Sequence, residues 1–402
     1  MPSTSSTNLP AGNLPAANAP NDPPNQVDIV DLQQQVARLQ ALLETSRQVH
    51  STVQLEELLN TVLRIVVREL ELPGALITEP RMLYGAMPPE PWEGCPRYPL
   101  QTKDGYMLAE LVVAPPIGRA LSIYEEDFLE GLSLQAGVAL ENARYHERNL
   151  EWTRVQRDLE AARLIQRSLL PQQLPQIPGY SIAFRSTACY EVGGDYVDII
   201  ELPGGAQLMT VADVAGKGLA SAIVATSFRS AFRAIAATGV PLAELAGRLN
   251  DQHYAEGVEA RRRYVTAIFL RLDPATHTLD VVNAGHNPGF LMMGCKAGQS
   301  PLTRQIVATG TPIGLVPGMQ YTAETFTFSS GTRLLFYTDG LTEVFKGEDE
   351  FGTERLLQSF TGCNSMESAA ILDSLWLELH DFCGGAHQED DMTALALLRE
   401  QA

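Results

Sequence analysis

Four acidic turns stand out because each places an aspartate where a strand-like run meets small or polar residues. They are Asp195 in VGGDYVDII, Asp213 in VADVAGKG, Asp339 in YTDG, and Asp390 or Asp391 in EDDMT. Carboxylates without histidine or cysteine are the ligands that Mg²⁺ and Mn²⁺ prefer. Without a cation, four such groups in one place would repel one another strongly. If the fold brings these turns together, the sequence predicts a divalent metal site.

Such a site could carry out phosphoryl chemistry. Two divalent ions about 4 Å apart can activate a water and clamp a phosphoryl group for in-line attack. The glycines at 193–194 and 216–218 would allow tight turns and a close approach of the backbone to an ion or a phosphate. A single aspartate at a strand end is more often a turn former, and we interpret Asp198 as structural on that ground.

Composition excludes several classes of function. The 402 residues allow two or three domains, and the formal net charge of -19 argues against binding nucleic acid or an anionic membrane surface. The five cysteines are scattered without a CxxC pair, which is typical of a reducing compartment. No apolar run approaches the ~20 residues needed to span a bilayer, and no secretory signal is visible at the start. These features predict a soluble cytoplasmic protein.

The chain reads as five consecutive segments. Residues 1–26 are rich in Pro, Ser, Asn and Ala and predict a disordered tail, and residues 27–46 predict a helix with one apolar seam, suited to a coiled coil. Residues 47–145 have the pattern of a small α/β domain, and residues 146–170 that of a helical linker. Because no proline interrupts it, one helix is expected to run from about Tyr124 to Leu170. Residues 171–399 form the last predicted domain.

Strands dominate this last domain, and short polar turns such as LPGGAQ and DPATHT join consecutive strands, which indicates antiparallel hairpins. Many antiparallel strands with grouped helices favour an α+β layered sandwich. The predicted strands are 180–188, 196–201, 207–211, 265–272, 278–284, 289–293, 324–328, 333–337 and 393–398, and the predicted helices are 219–237, 242–257 and 365–382.

The segment over 47–145 resembles a GAF-type sensory domain, with a leading helix, a short central sheet and a closing helix of the form FLEGLSLQAGVALENARYHE. Cys95 and His146 are interpreted as structural or exposed rather than as ligand-attachment sites.

A second resemblance covers about Ile165 to Leu398. The motifs LIQRSLLPQQLP, EVGGDYVD, DVAGKGLASA, YVTAIF, NAGHNPGFL, GTPIGL, LLFYTDGLTE and DDMTALAL are similar, in order, to the SpoIIE/RsbU branch of the PPM metal-dependent serine/threonine phosphatases. The resemblance implies a β-sandwich between helical layers, with a centre of two divalent ions, Mn²⁺ or Mg²⁺, at one end. The expected fold class is therefore α+β: a PPM phosphatase-type sandwich preceded by a GAF-like domain and a long connecting helix.

The resemblance also implies roles for individual residues. Asp195 corresponds to an acidic group at the metal centre, and Asp213 to the aspartate that bridges the ions; both count as catalytic. The remaining implied ligands are the backbone carbonyl of Val214, Asp339 and Asp390.

Other residues near these motifs have supporting or alternative roles. Asp391 and Gly194 are expected to support the ligands. The histidine that follows the bridging aspartate in eukaryotic relatives is absent, so Lys217 could assist electrostatically or could be a surface lysine. His286 in NAGHNP is interpreted as structural rather than as an acid or base.

The implied activity is hydrolysis of phosphoserine or phosphothreonine on a regulatory protein, here a phosphorylated STAS-domain anti-sigma-factor antagonist. The N-terminal domain would control this activity, and the N-terminal and linker helices would pair two chains into a homodimer. Two alternatives stay open: a metal-dependent hydrolase of a small phosphorylated molecule, and a non-catalytic scaffold that binds a phosphoprotein.

Overall fold

A computed structural model of the chain describes residues 36, 40, 43–49, 51–293, 302–363, 365–384 and 388–400. The tail predicted over 1–26 and most of the helix predicted over 27–46 lie outside these residues, although residues 43–49 are helical. The chain divides into two compact units, Met1–Arg154 and Val155–Ala402. The finer domain boundaries stay predictions.

The N-terminal unit is a four-stranded antiparallel sheet with helices packed on it. Its elements are α1 (Leu55–Glu69), β1 (Gly74–Ile77), β2 (Met82–Gly85), β3 (Arg97–Gln101), β4 (Met107–Val113) and the start of α2 (Ile123–Leu169). The strand order is β2-β1-β4-β3, and the apolar face of α1 and the first turns of α2 bury one face of the sheet. The sequence predicts strands at Ala75–Thr78 and Met107–Ala114, which correspond to β1 and β4, but misses β2 and β3. Strand β2 alternates between half-buried and exposed positions, and β3 between exposed and buried ones up to its last residue. The GAF assignment stays a prediction.

Helix α2 is 47 residues long, which confirms the predicted long helix before the last domain. It begins with a capping box, in which the Ser122 amide donates to the Glu125 carboxylate (2.7 Å) and the Glu125 amide donates to the Ser122 hydroxyl (3.3 Å). Arg119 forms two hydrogen bonds of 2.6 and 2.7 Å with the same carboxylate, and these bonds hold the pKa of Glu125 down at about 2. The start of α2 is therefore fixed by side chains as well as by packing.

The C-terminal unit contains two five-stranded sheets, which confirms the predicted sandwich. Their orders are β11-β10-β13-β16-β5 and β12-β9-β8-β7-β6. The strands are β5 (Tyr180–Thr187), β6 (Tyr196–Glu201), β7 (Gln207–Val214), β8 (Val265–Asp273), β9 (Thr278–Ala284), β10 (Gly289–Met293), β11 (Leu302–Ile306), β12 (Glu324–Thr327), β13 (Arg333–Tyr337) and β16 (Met392–Arg399), with a small hairpin of β14 (Phe345–Lys346) and β15 (Asp349–Glu350).

Helices cover the outer face of each sheet. The helices are α3 (Leu219–Ala236), α4 (Leu242–Ala255), α5 (Val258–Arg261), α6 (Gly352–Gly362) and α7 (Ser368–Cys383). One apolar core lies between α3, α4 and the sheet that contains β7, a second lies between the two sheets, and a third lies between α6, α7 and the sheet that contains β13. The layers are therefore helix, sheet, sheet, helix.

Antiparallel pairing brings the acidic turns to one end of this sandwich. The predicted hairpins β6–β7 and β8–β9 are both present. Asp195 directly precedes β6, whereas Asp213 lies near the end of the neighbouring strand β7. In the other sheet, Asp339 follows β13 and Asp390 precedes its partner β16. The start of one antiparallel strand lies beside the end of the next. Each sheet therefore has two of the four aspartates at the same end of its strands.

Within the described residues, none of the helices combines the length and the apolar character that crossing a bilayer requires.

The capping box at the start of α2 predicts a stability effect. Replacing Ser122→Ala removes the hydroxyl that accepts from the Glu125 amide, and we expect a loss of about 1 kcal/mol of unfolding free energy. Urea denaturation followed by circular dichroism measures this loss. Ser168→Ala, which removes an exposed hydroxyl near the other end of α2, is the control. An equal loss in both variants would contradict the assigned cap.

Candidate metal centre

Asp195 is held in place from the other sheet. Its carboxylate accepts a hydrogen bond of 2.8 Å from the hydroxyl of Thr338, the residue directly before Asp339. Thr338 is itself fully buried. Its amide donates to the Thr393 carbonyl on β16, and its hydroxyl oxygen accepts from the Thr393 amide. One side chain thus joins the turn of Asp195 to the turn of Asp339.

The aspartates interact electrostatically. Burial raises the pKa of Asp195 well above its usual range, and the carboxylates of Asp213 and Asp391 raise it further. Burial also raises the pKa of Asp213 to about 7, with contributions from Asp339 and Asp390. These shifts mean that several negative charges share one poorly solvated place.

Asp339 and Glu343 extend this group of carboxylates. The pKa of Asp339 is raised by burial and by Asp390. Glu343, one turn further along the chain, has its pKa raised by burial and then by Asp339 and Asp390. The sequence analysis does not identify Glu343. Its position in TDGLTE, four residues after Asp339, would bring it near the site if the chain turns helically after Asp339. A short 3₁₀ helix does begin at Asp339.

Asp390 and Asp391 have different surroundings. Asp390 is half-buried and lies beside the ammonium group of Lys217, with Nζ 2.9 Å from its carboxylate. Asp391 is only 7% exposed, and its carboxylate accepts from the amides of Gly194 (2.7 Å) and Cys189 (2.9 Å). Asp390 is therefore open to a ligand, whereas Asp391 already binds the backbone that leads to Asp195.

Two glycines permit these close approaches. A Cβ atom on Gly193 would lie 2.2 Å from the carboxylate of Asp391, and a Cβ on Gly340 would lie 2.0 Å from the Asp391 carbonyl oxygen. Any larger residue would push the turns apart. The glycines of GGD and TDG are thus needed so that the loop before β16 can lie against both other turns.

Val214 and Lys217 lie at the same end of the sandwich. A Cβ atom on Gly194 would be 3.0 Å from the Val214 carbonyl oxygen, so this carbonyl lies close to the loop that leads to Asp195. Lys217 also donates a 2.6 Å hydrogen bond to the backbone carbonyl of Glu389. Of the two interpretations of Lys217, its contacts favour a residue of the site over a lysine free in solvent.

Two residues interpreted as structural have structural partners. Asp198 is fully buried and forms two 2.6 Å hydrogen bonds with Arg233 of α3. His286 is 4% exposed, and burial lowers its pKa to about 4, so the ring is neutral at pH 7. Its Nδ1 lies 2.8 Å from the Thr266 hydroxyl. A buried neutral imidazole is a poor proton donor to a leaving group.

The donor set suits a hard divalent cation. The carboxylates of Asp195, Asp213, Asp339 and Asp390 are each half-buried, so they combine mutual repulsion with access from solvent. Oxygen-only donors with surplus negative charge fit Mg²⁺ or Mn²⁺. Among the described residues, however, no three acidic, histidine or cysteine side chains are already arranged to hold an ion. The residues therefore fit the cation in the chemistry of their donor atoms.

Comparison with known proteins shows which family this unit is similar to. Residues 203–400 match the family model described as stage II sporulation protein E (SpoIIE). Protein IcfG of Synechocystis sp. is 26% identical over 268 residues, which are 60% of this chain and 41% of that protein. The phosphoserine phosphatase RsbP of Bacillus subtilis is 28% identical over 191 residues, 46% of this chain and 45% of RsbP. The chain thus spans less than half the length of these two curated relatives.

A solved structure has the same fold. The SiaA-PP2C domain of Pseudomonas aeruginosa aligns with a TM-score of 0.53 and 21% identity, covering 61% of this chain and 97% of that domain. The PP2C-like sandwich expected from the motifs is therefore confirmed.

The raised pKa values predict how stability depends on pH. Carboxyl groups in the unfolded chain titrate near pH 4, whereas Asp213 titrates at about 7 in the folded protein. Its contribution to stability is full below about pH 4 and is lost as the pH rises through 7. Without divalent ions, we therefore expect the free energy of unfolding to fall between about pH 4 and 7, by up to about 1.4 kcal/mol per pH unit from each such group, and the melting temperature to fall with it.

Asp213→Asn should flatten this dependence, and added Mn²⁺ should raise the melting temperature of the unmutated protein more at pH 8 than at pH 5. Differential scanning calorimetry measures both effects. Asp373→Asn is the matched control, because Asp373 lies on the surface with 70% of its side chain exposed. A metal-free melting temperature that Asp213→Asn leaves equally dependent on pH would contradict the proposed repulsion.

Proposed function

We propose that the chain is a metal-dependent protein serine/threonine phosphatase of the PPM type, because residues 203–400 match the SpoIIE family model. The observation that carries this proposal is the group of half-buried carboxylates at one end of the sandwich, where Asp213 has a pKa of about 7. The name of RsbP as a phosphoserine phosphatase supports the same reaction class.

Each residue of the site has a proposed task. Asp195, Asp213, Asp339 and Asp390, with the carbonyl of Val214, would hold two divalent ions, Mn²⁺ or Mg²⁺. When bound, these ions supply an activated water and neutralise charge on the phosphoryl group. Asp391 and Thr338 keep the loop of Asp195 against the other turns. Lys217, which already lies against Asp390, can attract the phosphate dianion.

The proposed substrate is a phosphoserine or phosphothreonine on a STAS-domain anti-sigma-factor antagonist. This choice follows the motif resemblance to the SpoIIE/RsbU branch. We also propose that the N-terminal unit controls the activity by acting on α3 and α4, since α2 runs without a break to Leu169 and Arg229 of α3 donates a hydrogen bond to the Leu169 carbonyl (3.1 Å).

Phosphatase assays with Mn²⁺ test the proposed reaction. Asp213→Asn and Asp339→Asn each remove a proposed ligand, and we expect each to lower kcat/KM by at least about 100-fold. The substrates are para-nitrophenyl phosphate and phosphorylated STAS-domain proteins, and Asp373→Asn is the control. Undiminished turnover in both ligand variants would refute the centre.

The same assay separates the alternatives. Turnover of small phosphorylated molecules without turnover of phosphoproteins would favour the small-molecule hydrolase, and binding without turnover would favour the scaffold. Equal activity of the full chain and of residues 171–402 alone would contradict control by the N-terminal unit.

We propose further that the chain forms a homodimer through α2. Apolar side chains repeat along this helix at spacings of a heptad pattern, and Tyr145, Trp152 and Val155 are 73%, 63% and 49% exposed. An identical helix would cover such a stripe in a parallel coiled coil. The helix predicted over 27–46, which lies mostly outside the described residues, would extend the pairing.

The double variant Tyr145→Glu/Trp152→Glu should separate the chains, because it places like charges on the contact face. Light scattering of the full chain should give twice the chain mass for the unmutated protein and the single-chain mass for the variant. Glu151→Gln, a change at an exposed residue of the same helix, is the control. A monomeric unmutated protein, or a dimeric variant, would contradict pairing through α2.

A further inference from the structure

The end of helix α2 contacts the loop that carries Asp195 through one side chain, Gln166. Its amide group donates to the Gly193 carbonyl at 2.7 Å, and its side-chain oxygen accepts from the Gly193 amide at 3.1 Å. The Gln166 side chain thus binds both the amide and the carbonyl of Gly193, as the backbone of a neighbouring β-strand would. Gly193 is buried and has no side chain, so this pair is a large part of what fixes its position.

The loop is held from three directions. Gln166 binds Gly193 from α2, Asp391 binds the Gly194 amide from the loop before β16, and Thr338 binds the Asp195 carboxylate from the turn after β13. The last two contacts come from turns that themselves carry proposed ligands. Gln166 differs from them because it comes from a helix that lies outside both sheets.

A small polar cavity of about 110 Å³ lies at the contact. It is lined by Gln166 and Arg163 from the helix and by Gly193, Asp195 and Asp391 from the site. The space beside Asp195 is therefore not filled by packed apolar groups. On this side of the loop, hydrogen bonds from Gln166, Asp391 and Thr338 contribute to the direction of the Asp195 carboxylate.

We propose that Gln166 is a positioning residue that holds the Gly193–Asp195 loop where the Asp195 carboxylate can bind a divalent cation. This inference rests on the proposed metal centre. Residues that orient a ligand commonly change metal affinity by about 10- to 100-fold when they are removed. A helix rises 1.5 Å per residue, and a hydrogen bond of 2.7 Å is lost beyond about 3.5 Å. A shift of α2 by a single residue would also turn the position of Gln166 by about 100° around the helix axis, which would carry its side chain away from Gly193.

The test compares Gln166→Met with Gln172→Met in the full chain. Gln172 is a matched control, because its exposed amide donates two hydrogen bonds to carbonyls at the end of α2 without binding the loop. Hydrogen–deuterium exchange of the metal-free protein reports on residues 189–195 directly, and calorimetric titration with Mn²⁺ reports on affinity. Neither measurement depends on turnover.

We expect Gln166→Met to speed exchange in residues 189–195 by about tenfold and to weaken Mn²⁺ binding by about tenfold, with Gln172→Met unchanged in both. In an assay, the Gln166→Met protein should need more Mn²⁺ for half-maximal activity but should approach the unmutated kcat at saturating Mn²⁺. A merely structural residue would lower kcat at every Mn²⁺ concentration.

Three results would overturn the inference: unchanged exchange or unchanged affinity in Gln166→Met, equal changes in both variants, or faster exchange throughout residues 155–402. Asp213→Asn separates failure of the inference from failure of the proposed function. If Asp213→Asn abolishes Mn²⁺ binding while Gln166→Met leaves it intact, only the role of Gln166 is wrong. If Asp213→Asn also binds Mn²⁺ normally, the centre itself is wrong.

Discussion

The constraint on which this site depends is the repulsion among carboxylates that two sheets bring to one end of a sandwich. Two unit charges 4 Å apart interact by about 4 kcal/mol at an effective dielectric constant of 20. The fold tolerates the repulsion because Lys217 lies against Asp390, and because backbone amides and the Thr338 hydroxyl bind Asp391 and Asp195. These partners orient the carboxylates but compensate only part of their negative charge, and the remaining charge makes a divalent cation the natural ligand.

Much of the sandwich follows from sequence, because its strands are long, apolar and bounded by turns. Strands β6, β9, β10 and β13 have the predicted bounds, and β7 extends past its predicted end so that Asp213 lies within the strand. The strands and α-helices that sequence missed in this unit are β11, the β14–β15 hairpin, the short helix α5 and helix α6. The residues of β11 and of the hairpin are largely exposed, so they lack the apolar alternation that identifies a strand.

For the site, sequence could name the proposed ligands but not the residues that hold them in place. Asp195, Asp213, Asp339 and Asp390 stand in recognisable turns, and all four lie at one end of the sandwich. Thr338 and Gln166 act on partners 143 and 27 residues away, and an uncharged threonine or glutamine leaves no local signal of such a contact. The division between Asp390 and Asp391 likewise depends on burial, which adjacent residues of the same type cannot reveal in sequence.

The most direct test of the account is anomalous diffraction at the manganese edge from crystals grown with Mn²⁺. We expect anomalous peaks between Asp213 and the carboxylates of Asp195, Asp339 and Asp390, with Asp391 still bound to the amides of Gly194 and Cys189. Peaks elsewhere, or no peak among these carboxylates at saturating Mn²⁺, would contradict it.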